Sequence, residues 1–450
     1  MKTMHKLKRA LFVSMATLVA AHCVYAGGAD GGGGVTTSTA ATVTQEAQLL
    51  APGGDNILPL DSLGTSPQAV NGNTAAFLAS GPLTLPGTRK VVVYNRTPDT
   101  TIWNKQADLR PDAVDVAGFG SSIALDADIL VAAVYNPLPQ SLNPNLTPRG
   151  VYAYHRTQGV WILESRLVGS DAATDTFLYG YSVAVSGNRV LVGAAGGIHF
   201  NGTFFPDRRH GAIYEFERSV SSLGAVKWTE TKKITGHPQG IPDQFGALIA
   251  FNGDTLVIGG RGNILLGGPN SVALYQRGAT GWSAKPSAVL KPSDLTPILS
   301  TSSERHGTGF GGAVAISLDT ILVGGSADIF GGTVFGSSYV FQRNLGLWSQ
   351  QAKLTPKSRS NHDNFARRVS VSGDLALFGY RPDGASAGKA SLFKRTNTAW
   401  SETVIASPGI PVEVNDKVDN FATFALVSGS TGLISQAWAT LSREWAYRFR

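Results

Sequence analysis

The sequence is poor in cysteine and in charge, and both shortages exclude classes of protein. Its 450 residues include one cysteine, Cys23, so no intramolecular disulfide can form. Charged residues make up 15% of the chain, against about a quarter in typical soluble domains. No long run of Lys or Arg follows the first ten residues, which argues against nucleic acid or an anionic membrane as a partner. Stability must therefore come from the packing of an apolar chain with 53 glycines.

Long helical periods and known catalytic motifs are also missing. No stretch repeats apolar residues at the helical spacing. The sequence has no Ser-x-Asp-x-Gly-x-Thr-Trp box of sialidases, no HExxH, no Gly-x-Ser-x-Gly elbow and no P-loop. Six histidines beyond residue 26 are scattered without the spacing of metal ligands: His155, His199, His210, His237, His306 and His362. The sequence predicts an all-β protein without a cofactor, and it favours a non-catalytic role.

The first 26 residues have the pattern of a secretory signal peptide. A basic start is followed by about a dozen mostly apolar residues from Ala10 and by Val24-Tyr25-Ala26. This segment is too short for a membrane anchor, which needs about 20 apolar residues, so no membrane span is predicted. It contains four of the 38 basic residues and none of the 31 acidic ones, so its removal lowers the formal charge from +7 to +3. We expect a periplasmic or secreted protein, with residues 27–42 as a flexible Gly, Ser and Thr-rich lead.

Residues 43–450 consist of repeats with a period of about 60 residues. The clear copies are FGSSIALDADILVAAV from Phe119, YGYSVAVSGNRVLVGAAG from Tyr179, FGALIAFNGDTLVIGG from Phe245, FGGAVAISLDTILVGG from Phe310 and FARRVSVSGDLALFGY from Phe365. Weaker copies begin at Ser66 and Phe421. Each copy predicts a hairpin of two small-residue strands around a turn such as Ser186-Gly187-Asn188, where glycine supplies the positive φ.

A third and a fourth strand follow each hairpin. The third carries an aromatic residue with arginine two places later, at Arg96, Arg156, Arg218, Arg277, Arg343 and Arg395. The fourth opens near a tryptophan, at Trp103, Trp161, Trp228, Trp282, Trp348 and Trp400. Because the arginine recurs so regularly, we interpret it as a structural residue that forms a turn or a cation–π contact with the following tryptophan.

Four antiparallel strands in each of seven units predict a seven-bladed β-propeller. Blades crowd near the axis, where the first strand is made of Ala, Ser, Gly and Val, and they diverge outward, where aromatic side chains fill the wider gap. The last repeat ends at Phe449-Arg450, within its third strand. The segment QEAQLLAPGGD from Gln45 parallels QQAKLTP from Gln350. We therefore predict that an N-terminal strand from Gln45 to Leu50 pairs with the seventh blade, closes the ring and removes an open sheet edge.

The combination of FG-x-SVAxxG, LVGA, a G-x-x-Y-x-F-x-R strand and a tryptophan resembles the FG-GAP repeats of integrin α-subunit heads and their bacterial secreted relatives. The resemblance covers residues of about 43–450, and kelch repeats, the nearest alternative, give the same architecture. It implies an exported binding propeller. The chain departs from many such repeats because it lacks an Asp-x-Asp-x-Asp-Gly calcium loop, so no metal site is predicted. The nearest candidates are Asp171 with Asp175 and Asp126 with Asp128, whereas Asp243, Asp363 and Asp419 are expected to accept hydrogen bonds at turns.

Strand order also predicts which face binds. Connections from strand one to two and from three to four leave one face and are short, while the other connections leave the opposite face and include long ones at 135–150, 197–211, 291–309 and 326–336. The second of these holds the candidate ligand-binding residues Phe200, Phe204, Phe205, Arg208, Arg209 and His210, which combine aromatic anchors with cations. The alternative is that these phenylalanines fold back over their own blade. We expect a monomer that binds a protein or glycan, the alternative function being an extracellular hydrolase or lyase acting on a polymer at the axis.

Overall fold

The structure is a computed structural model that describes residues 41–49, 56–57, 68–80, 89–111, 118–134, 150–171, 179–195, 211–235, 245–260, 271–295, 309–330, 333–358, 365–380, 387–408, 420–437 and 442–450. Within these ranges the regular secondary structure is β-strand, and no helix is long and apolar enough to cross a membrane. The predicted signal peptide and most of the predicted flexible lead fall outside the described residues.

The described strands form seven antiparallel sheets, numbered here as blades one to seven in sequence order. Blade one contains β2 (Asn56–Ile57), β3 (Gln68–Asn71), β4 (Thr74–Ser80), β5 (Lys90–Arg96) and β6 (Trp103–Leu109). Blade two contains β7 (Phe119–Asp126), β8 (Ile129–Val134), β9 (Val151–Thr157) and β10 (Val160–Leu167). Blade three contains β11 (Tyr179–Ser186), β12 (Arg189–Ala194), β13 (Ala212–Val220) and β14 (Val226–Thr235).

The remaining blades follow the same plan. Blade four contains β15 (Leu248–Asn252), β16 (Thr255–Gly259), β17 (Val272–Gly278), β18 (Gly281–Trp282) and β19 (Ala288–Leu290). Blade five contains β20 (Phe310–Ser317), β21 (Thr320–Phe330), β22 (Thr333–Asn344) and β23 (Leu347–Leu354). Blade six contains β24 (Ser370–Ser372), β25 (Leu375–Tyr380), β26 (Lys389–Thr396) and β27 (Ala399–Ala406). Blade seven joins β28 (Asn420–Ser428), β29 (Thr431–Ala437) and β30 (Ser442–Phe449) to the N-terminal β1 (Val43–Leu49).

The seven blades form a ring, which confirms the predicted seven-bladed β-propeller. In blades two to six the strands pair in sequence order with the first strand innermost, and in blades one and seven the innermost strands are β3 and β28. The innermost strands contact one another in a closed series, from β3 to β7, β11, β15, β20, β24, β28 and back to β3. Two blades add a piece to the plan: β2 pairs with β4 in blade one, and β18 and β19 both pair with β17 in blade four.

The N-terminal strand closes the ring as predicted. β1 pairs antiparallel with β30 from Val43 opposite Phe449 to Leu49 opposite Glu444. Two backbone hydrogen bonds between Thr42 and Arg450, of 2.9 and 3.0 Å, extend the pairing by one residue. Blade seven therefore gains its fourth strand from the other end of the chain, and the edge of β30 is covered.

The core is divided among the joints between blades. Each of seven buried apolar clusters combines side chains of two neighbouring blades, and the cluster at the closing joint contains Leu49 of β1 with Phe77 of blade one. Fully buried tyrosines such as Tyr152 and Tyr339 lie on the third strands, at larger radius than the small residues of the inner strands. This is the size gradient that the sequence predicted for wedge-shaped gaps.

The glycines of the repeat motif allow backbones of neighbouring blades to approach closely. A Cβ added to Gly193 would lie 2.0 Å from the carbonyl oxygen of Gly246 in the next blade. The equivalent contact at Gly324 is 2.1 Å from the carbonyl oxygen of Ala366. Both distances are far below van der Waals contact, so the blades can pack this closely only because glycine occupies this position of strand two.

One connection differs from the sequence-based expectation. The connection from Ser326, predicted as a loop, is a continuation of the β21–β22 hairpin, in which Asp328 pairs with Phe335 and Phe330 with Thr333. Its β-branched and aromatic residues, Ile329, Phe330, Thr333, Val334 and Phe335, favour strand pairing over an irregular loop. The two turns without glycine also form the regular turn, because Ala127 and Leu318 adopt φ of 47° and 53°.

Candidate functional site

The topology gives the ring two different faces. The short-turn face carries the connections from strand one to two, whose two-residue turns are 72–73, 127–128, 187–188, 253–254, 318–319, 373–374 and 429–430. It also carries the connections from strand three to four. The long-loop face, at the opposite end of the strands, carries the connections from strand two to three and from each blade to the next.

Hydrogen bonds link the turns of the short-turn face into a circle around the axis. The last side chain of an inner strand accepts a hydrogen bond from a turn N–H of the following blade. The pairs are Asp126 with Gly187 (2.7 Å), Ser186 with Gly253 (3.0 Å), Asn252 with Leu318 (3.3 Å), Ser317 with Gly373 (3.1 Å), Ser372 with Gly429 (2.8 Å) and Ser428 with Gly72 (3.0 Å). At the seventh joint the Asn71 amide donates to Asp126 (3.1 Å). The polar side chains at this end of the axis thus hold blades together.

The repeated arginines are structural, as predicted. Four of them stack on the following tryptophan, with distances from guanidinium carbon to ring centroid of 5.5 Å for Arg96, 5.2 Å for Arg156, 5.6 Å for Arg343 and 5.4 Å for Arg395. The last three also form ion pairs of 2.7 Å with a turn aspartate of their own blade, Asp128, Asp319 and Asp374. The arginine therefore joins strand three to the first turn and to strand four.

At four joints a second repeated contact connects the fourth strand of one blade to a tryptophan of the following blade. The indole N–H of Trp103 donates to Glu46 (3.1 Å), that of Trp161 to Gln106 (2.8 Å), that of Trp228 to Glu164 (3.0 Å) and that of Trp400 to Gln351 (3.2 Å). Each acceptor is the extra residue of a β-bulge, which turns its side chain toward the neighbouring blade. Burial alone would raise the pKa of the Glu164 carboxyl, but hydrogen bonds from Arg218 and Trp228 lower it below its usual value.

The aspartates considered as metal ligands are bound by donors of the protein itself. Asp171 accepts a hydrogen bond of 2.6 Å from the Tyr214 hydroxyl and pairs with the Lys233 ammonium. Although burial raises the pKa of Asp171, the bonds from Lys233 and Tyr214 lower it overall. Asp126 belongs to the circle of turn hydrogen bonds, and Asp128 pairs with Arg156. Asp175 lies outside the described residues, among which no group of three or more His, Cys, Asp or Glu could hold a metal ion.

The Tyr214–Asp171–Lys233 arrangement, here called the clasp, occurs a second time. In blade five Tyr339 and Lys353 bind Asp294 at 2.9 and 2.6 Å, and each lysine also lies over the tyrosine ring. The serine before each aspartate donates its backbone N–H to the following blade, Ser170 to Glu230 (2.7 Å) and Ser293 to Gln350 (2.9 Å). The clasp was not predicted from the sequence, although a Ser-Asp dipeptide follows the fourth strand in both places.

The predicted ligand-binding residues Phe200, Phe204, Phe205, Arg208, Arg209 and His210 lie outside the described residues, as do the turn aspartates Asp243, Asp363 and Asp419 and five of the six histidines. The structure describes only the base of the connection predicted at 197–211. Ala194 and Ala212 pair at the ends of β12 and β13, and the clasp holds Tyr214 two residues further on. The remaining histidine, His155, lies 3.1 Å from the Thr157 hydroxyl and 3.7 Å from Glu164, in a blade joint.

Comparison with known proteins gives one family match. The model of the FG-GAP repeat matches residues 161–216 and 348–393, which correspond to parts of blades two and three and of blades five and six. Among solved structures, the chain is similar to the β-propeller domain of the trilobed protease from Pyrococcus furiosus, described as having an open velcro topology. The identity is 8%, the match covers 88% of this chain and 95% of that one, and the TM-score is 0.43. No curated protein matches the chain.

Proposed function

Because the chain is an FG-GAP repeat β-propeller, we propose that it is a non-catalytic binding protein that holds a protein or glycan partner on its long-loop face. The proposal depends on the difference between the two faces of the ring. On the short-turn face, two-residue turns are linked to one another by the circle of hydrogen bonds. On the long-loop face, connections differ in length and sequence from blade to blade. Varied connections on a rigid scaffold are where binding residues usually lie.

The connection between β12 and β13 is the proposed contact region. Its sequence places Phe200, Phe204 and Phe205 near Arg208, Arg209 and His210, and aromatic and arginine side chains dominate the energetic centres of interfaces. The clasp of Tyr214, Asp171 and Lys233 immobilises the strand that follows the loop, which reduces the entropy lost when a partner binds.

We expect this binding to occur in the periplasm or outside the cell, because the N-terminus has the pattern of a signal peptide, and we therefore expect an extracytoplasmic protein or glycan as the partner. We expect the protein to act as a monomer, because β1 occupies the sheet edge through which a second chain would otherwise pair. The alternative of a polymer-cleaving hydrolase or lyase remains a prediction from sequence, and no contact among the described residues favours it.

The test is a binding screen with a matched pair of variants. The chain from residue 27 onward is applied to glycan and protein arrays, and hits are titrated with the double variant Phe204→Ala, Arg209→Ala. The control, Leu345→Ala with Lys227→Ala, removes a large apolar side chain from an exposed turn and a cationic side chain from the exposed start of β14, both at the short-turn face. We expect the first pair to weaken binding at least tenfold at unchanged melting temperature, since hot-spot side chains contribute about 2 kcal/mol or more. If only the control pair abolishes binding, the assignment of the binding face is wrong.

A further inference from the structure

The most exposed large apolar side chains of the described residues all lie at one end of the ring. Six of them, with exposed fractions from 58% to 97%, belong to connections of the short-turn face or directly follow one. They are Ile102, Val160, Leu223, Leu318, Leu345 and Leu347. The next in exposure, Val289, lies on β19 toward the long-loop face. Single exposed aliphatic residues are common on proteins, but a concentration of them at one end indicates a contact surface.

Two of the leucines occupy backbone positions that disfavour them. Leu318 and Leu345 are the first residues of two-residue turns and have φ of 53° and 48°. The turn position of Leu318 holds glycine in five other blades, and that of Leu345 holds Gln158 in blade two and Asn397 in blade six. A left-handed conformation favours glycine, asparagine or aspartate, whereas a bulky side chain in it is an outlier. The formation of these turns therefore does not explain the leucines.

Packing within the chain does not explain them either. Leu345 is 97% exposed and Leu223 is 95% exposed, so neither side chain contributes to a core. The loop that carries Leu223 is ordered by three hydrogen bonds: the Ser221 N–H donates to the Ala225 carbonyl (2.9 Å), the Gly224 N–H to the Ser221 carbonyl (2.9 Å) and the Ala225 N–H to the Ser221 hydroxyl (3.1 Å). An apolar side chain held in water on a fixed backbone, against the local preference of the turn, indicates a function outside folding.

The charges of this face are balanced within the protein. Four turn aspartates each form an ion pair with an arginine, and they are Asp128, Asp254, Asp319 and Asp374. The connections from strand three to strand four, at 97–102, 158–159, 221–225, 279–280, 345–346 and 397–398, contain one charged residue, Asp99. Because the tips of the hairpins are almost uncharged, the surface that they contact has no strong net charge of its own.

The arrangement of the leucines fits a fluid surface better than a folded one. Leu223 stands on blade three and Leu345 on blade five, and blade four between them ends in the small turn Ala279-Thr280. A folded partner covers a contiguous patch with matching shape. A lipid bilayer instead accepts each aliphatic side chain separately at its interface, without a matching pocket. Separate apolar tips at one end of a rigid ring therefore favour a bilayer.

We propose that the short-turn face docks on a lipid bilayer with zwitterionic headgroups, and that Leu223, Leu345 and Leu347 insert their side chains into its interface. Burial of the aliphatic side chains supplies the binding, and the paired charges make it insensitive to salt. In this orientation the long-loop face is directed away from the membrane and stays accessible to a partner. The two surfaces share no residue, so membrane docking is independent of the proposed partner binding.

The test is flotation of the chain from residue 27 onward with vesicles of phosphatidylcholine, and with vesicles that also contain phosphatidylglycerol. We expect saturable partitioning onto the neutral vesicles that changes little between about 0.1 M and about 0.5 M sodium chloride. The double variant Leu223→Asn, Leu345→Asn should weaken partitioning at least tenfold, since burying one leucine is worth about tenfold or more. Its melting temperature should not fall, because asparagine suits the left-handed turn position at 345.

A matched control and a single label locate the contact. Val289→Asn with Val404→Asn removes two exposed aliphatic side chains nearer the long-loop end and should partition like the wild type. The chain from residue 27 onward has no cysteine, so Leu345→Cys introduces a unique thiol for an environment-sensitive fluorophore. Its emission should shift to the blue on neutral vesicles, while the same label on Val404→Cys should not respond.

Four results would overturn the proposal. They are no partitioning onto neutral vesicles, binding confined to anionic vesicles at low salt, equal partitioning of the wild type and the leucine double variant, or a label at position 345 that does not respond. Self-association of the wild type that the leucine double variant abolishes, without vesicle binding, would assign this face to a second copy of the chain instead. Binding of a partner found on the arrays should be the same for the wild type and the leucine double variant, which separates this result from the proposed function.

Discussion

Replacing Glu46 with alanine should weaken the closing joint of the ring more than the matched change at an ordinary joint. Glu46 lies on β1 and is fully buried. Its carboxylate forms ion pairs with Arg96 of blade one (2.8 Å) and Arg448 of blade seven (2.5 Å), and accepts the indole N–H of Trp103 (3.1 Å). Removing it leaves two arginines facing each other without their shared anion.

The expected cost follows from these contacts. Breaking a buried ion pair by removing one partner costs about 3–5 kcal/mol. Arg96 keeps hydrogen bonds to Asn73 and Thr431, so the lower end, about 3 kcal/mol, applies. The matched residue in blade one, Gln106, accepts the Trp161 indole bond and donates to the Gly159 carbonyl. Gln106→Ala loses these two neutral bonds at about 1 kcal/mol each, or roughly 2 kcal/mol.

Urea unfolding followed by tryptophan fluorescence measures the difference. We expect the free energy of unfolding to fall most for Glu46→Ala and least for Gln106→Ala, which loses only neutral hydrogen bonds. Glu46→Gln should lie between them, because it keeps the indole acceptor that the repeat uses at Gln106 and Gln351 but removes the anion shared by two arginines. The m-value should stay constant, so that midpoints report stability. A Glu46→Ala protein within about 1 kcal/mol of the wild type would refute the view that this carboxylate holds the ring closed.

Three further predictions concern the ring, the buried acid and metals. Deleting residues through Asp55 should lower the melting temperature and promote association through the uncovered edge of β30; a monomeric truncation with an unchanged melting temperature would contradict the closure argument. Burial raises the pKa of the Glu444 carboxyl well above its usual value, so its protonated form is the one that suits the fold. The contribution of protonated Glu444 to stability is fully present below its unfolded-state pKa of about 4.5 and is lost as the pH rises toward its folded-state pKa. From pH 5 upward the wild type should therefore lose up to about 1.4 kcal/mol of unfolding free energy per pH unit relative to Glu444→Gln. Parallel profiles of stability against pH for the two proteins would be inconsistent with this. A chelator should leave the melting curve in place, because the sequence contains no carboxylate-rich calcium loop, and a clear downward shift would indicate a metal site.

Local patterns in the sequence predicted most of the fold, because the strands and turns of each repeat are determined by residues within that repeat. Three patterns predicted contacts that the structure contains. They are the turn glycines, the arginine two places after an aromatic residue, and the similarity of the segment from Gln45 to the fourth strand that contains Gln350. Side-chain contacts between neighbouring blades were harder to predict from the sequence. Asp171 meets Tyr214 43 residues later and Lys233 62 residues later, and no periodicity within a blade reveals such a partner.

For the candidate site, the sequence could predict the face of the ring on which it lies but not the contacts of its individual residues. Strand order decides at which end of the ring each connection emerges, and that part follows from the antiparallel pairing. The contacts within a long connection depend on packing that repeats do not encode, so Phe204 and Arg209 remain predictions.

The pairing of β1 with β30 also determines the order in which the molecule can be completed. β1 is among the first parts of the propeller to be synthesised, and its partner is the last, so β1 waits until about 400 residues have followed it. Blades one to six have their strands in sequence order and can form behind it. A waiting strand that was strongly apolar would invite pairing with other chains. The strand VTQEAQL contains four polar residues among its seven, Thr44, Gln45, Glu46 and Gln48, which suits a segment that is unpaired while the rest of the ring folds.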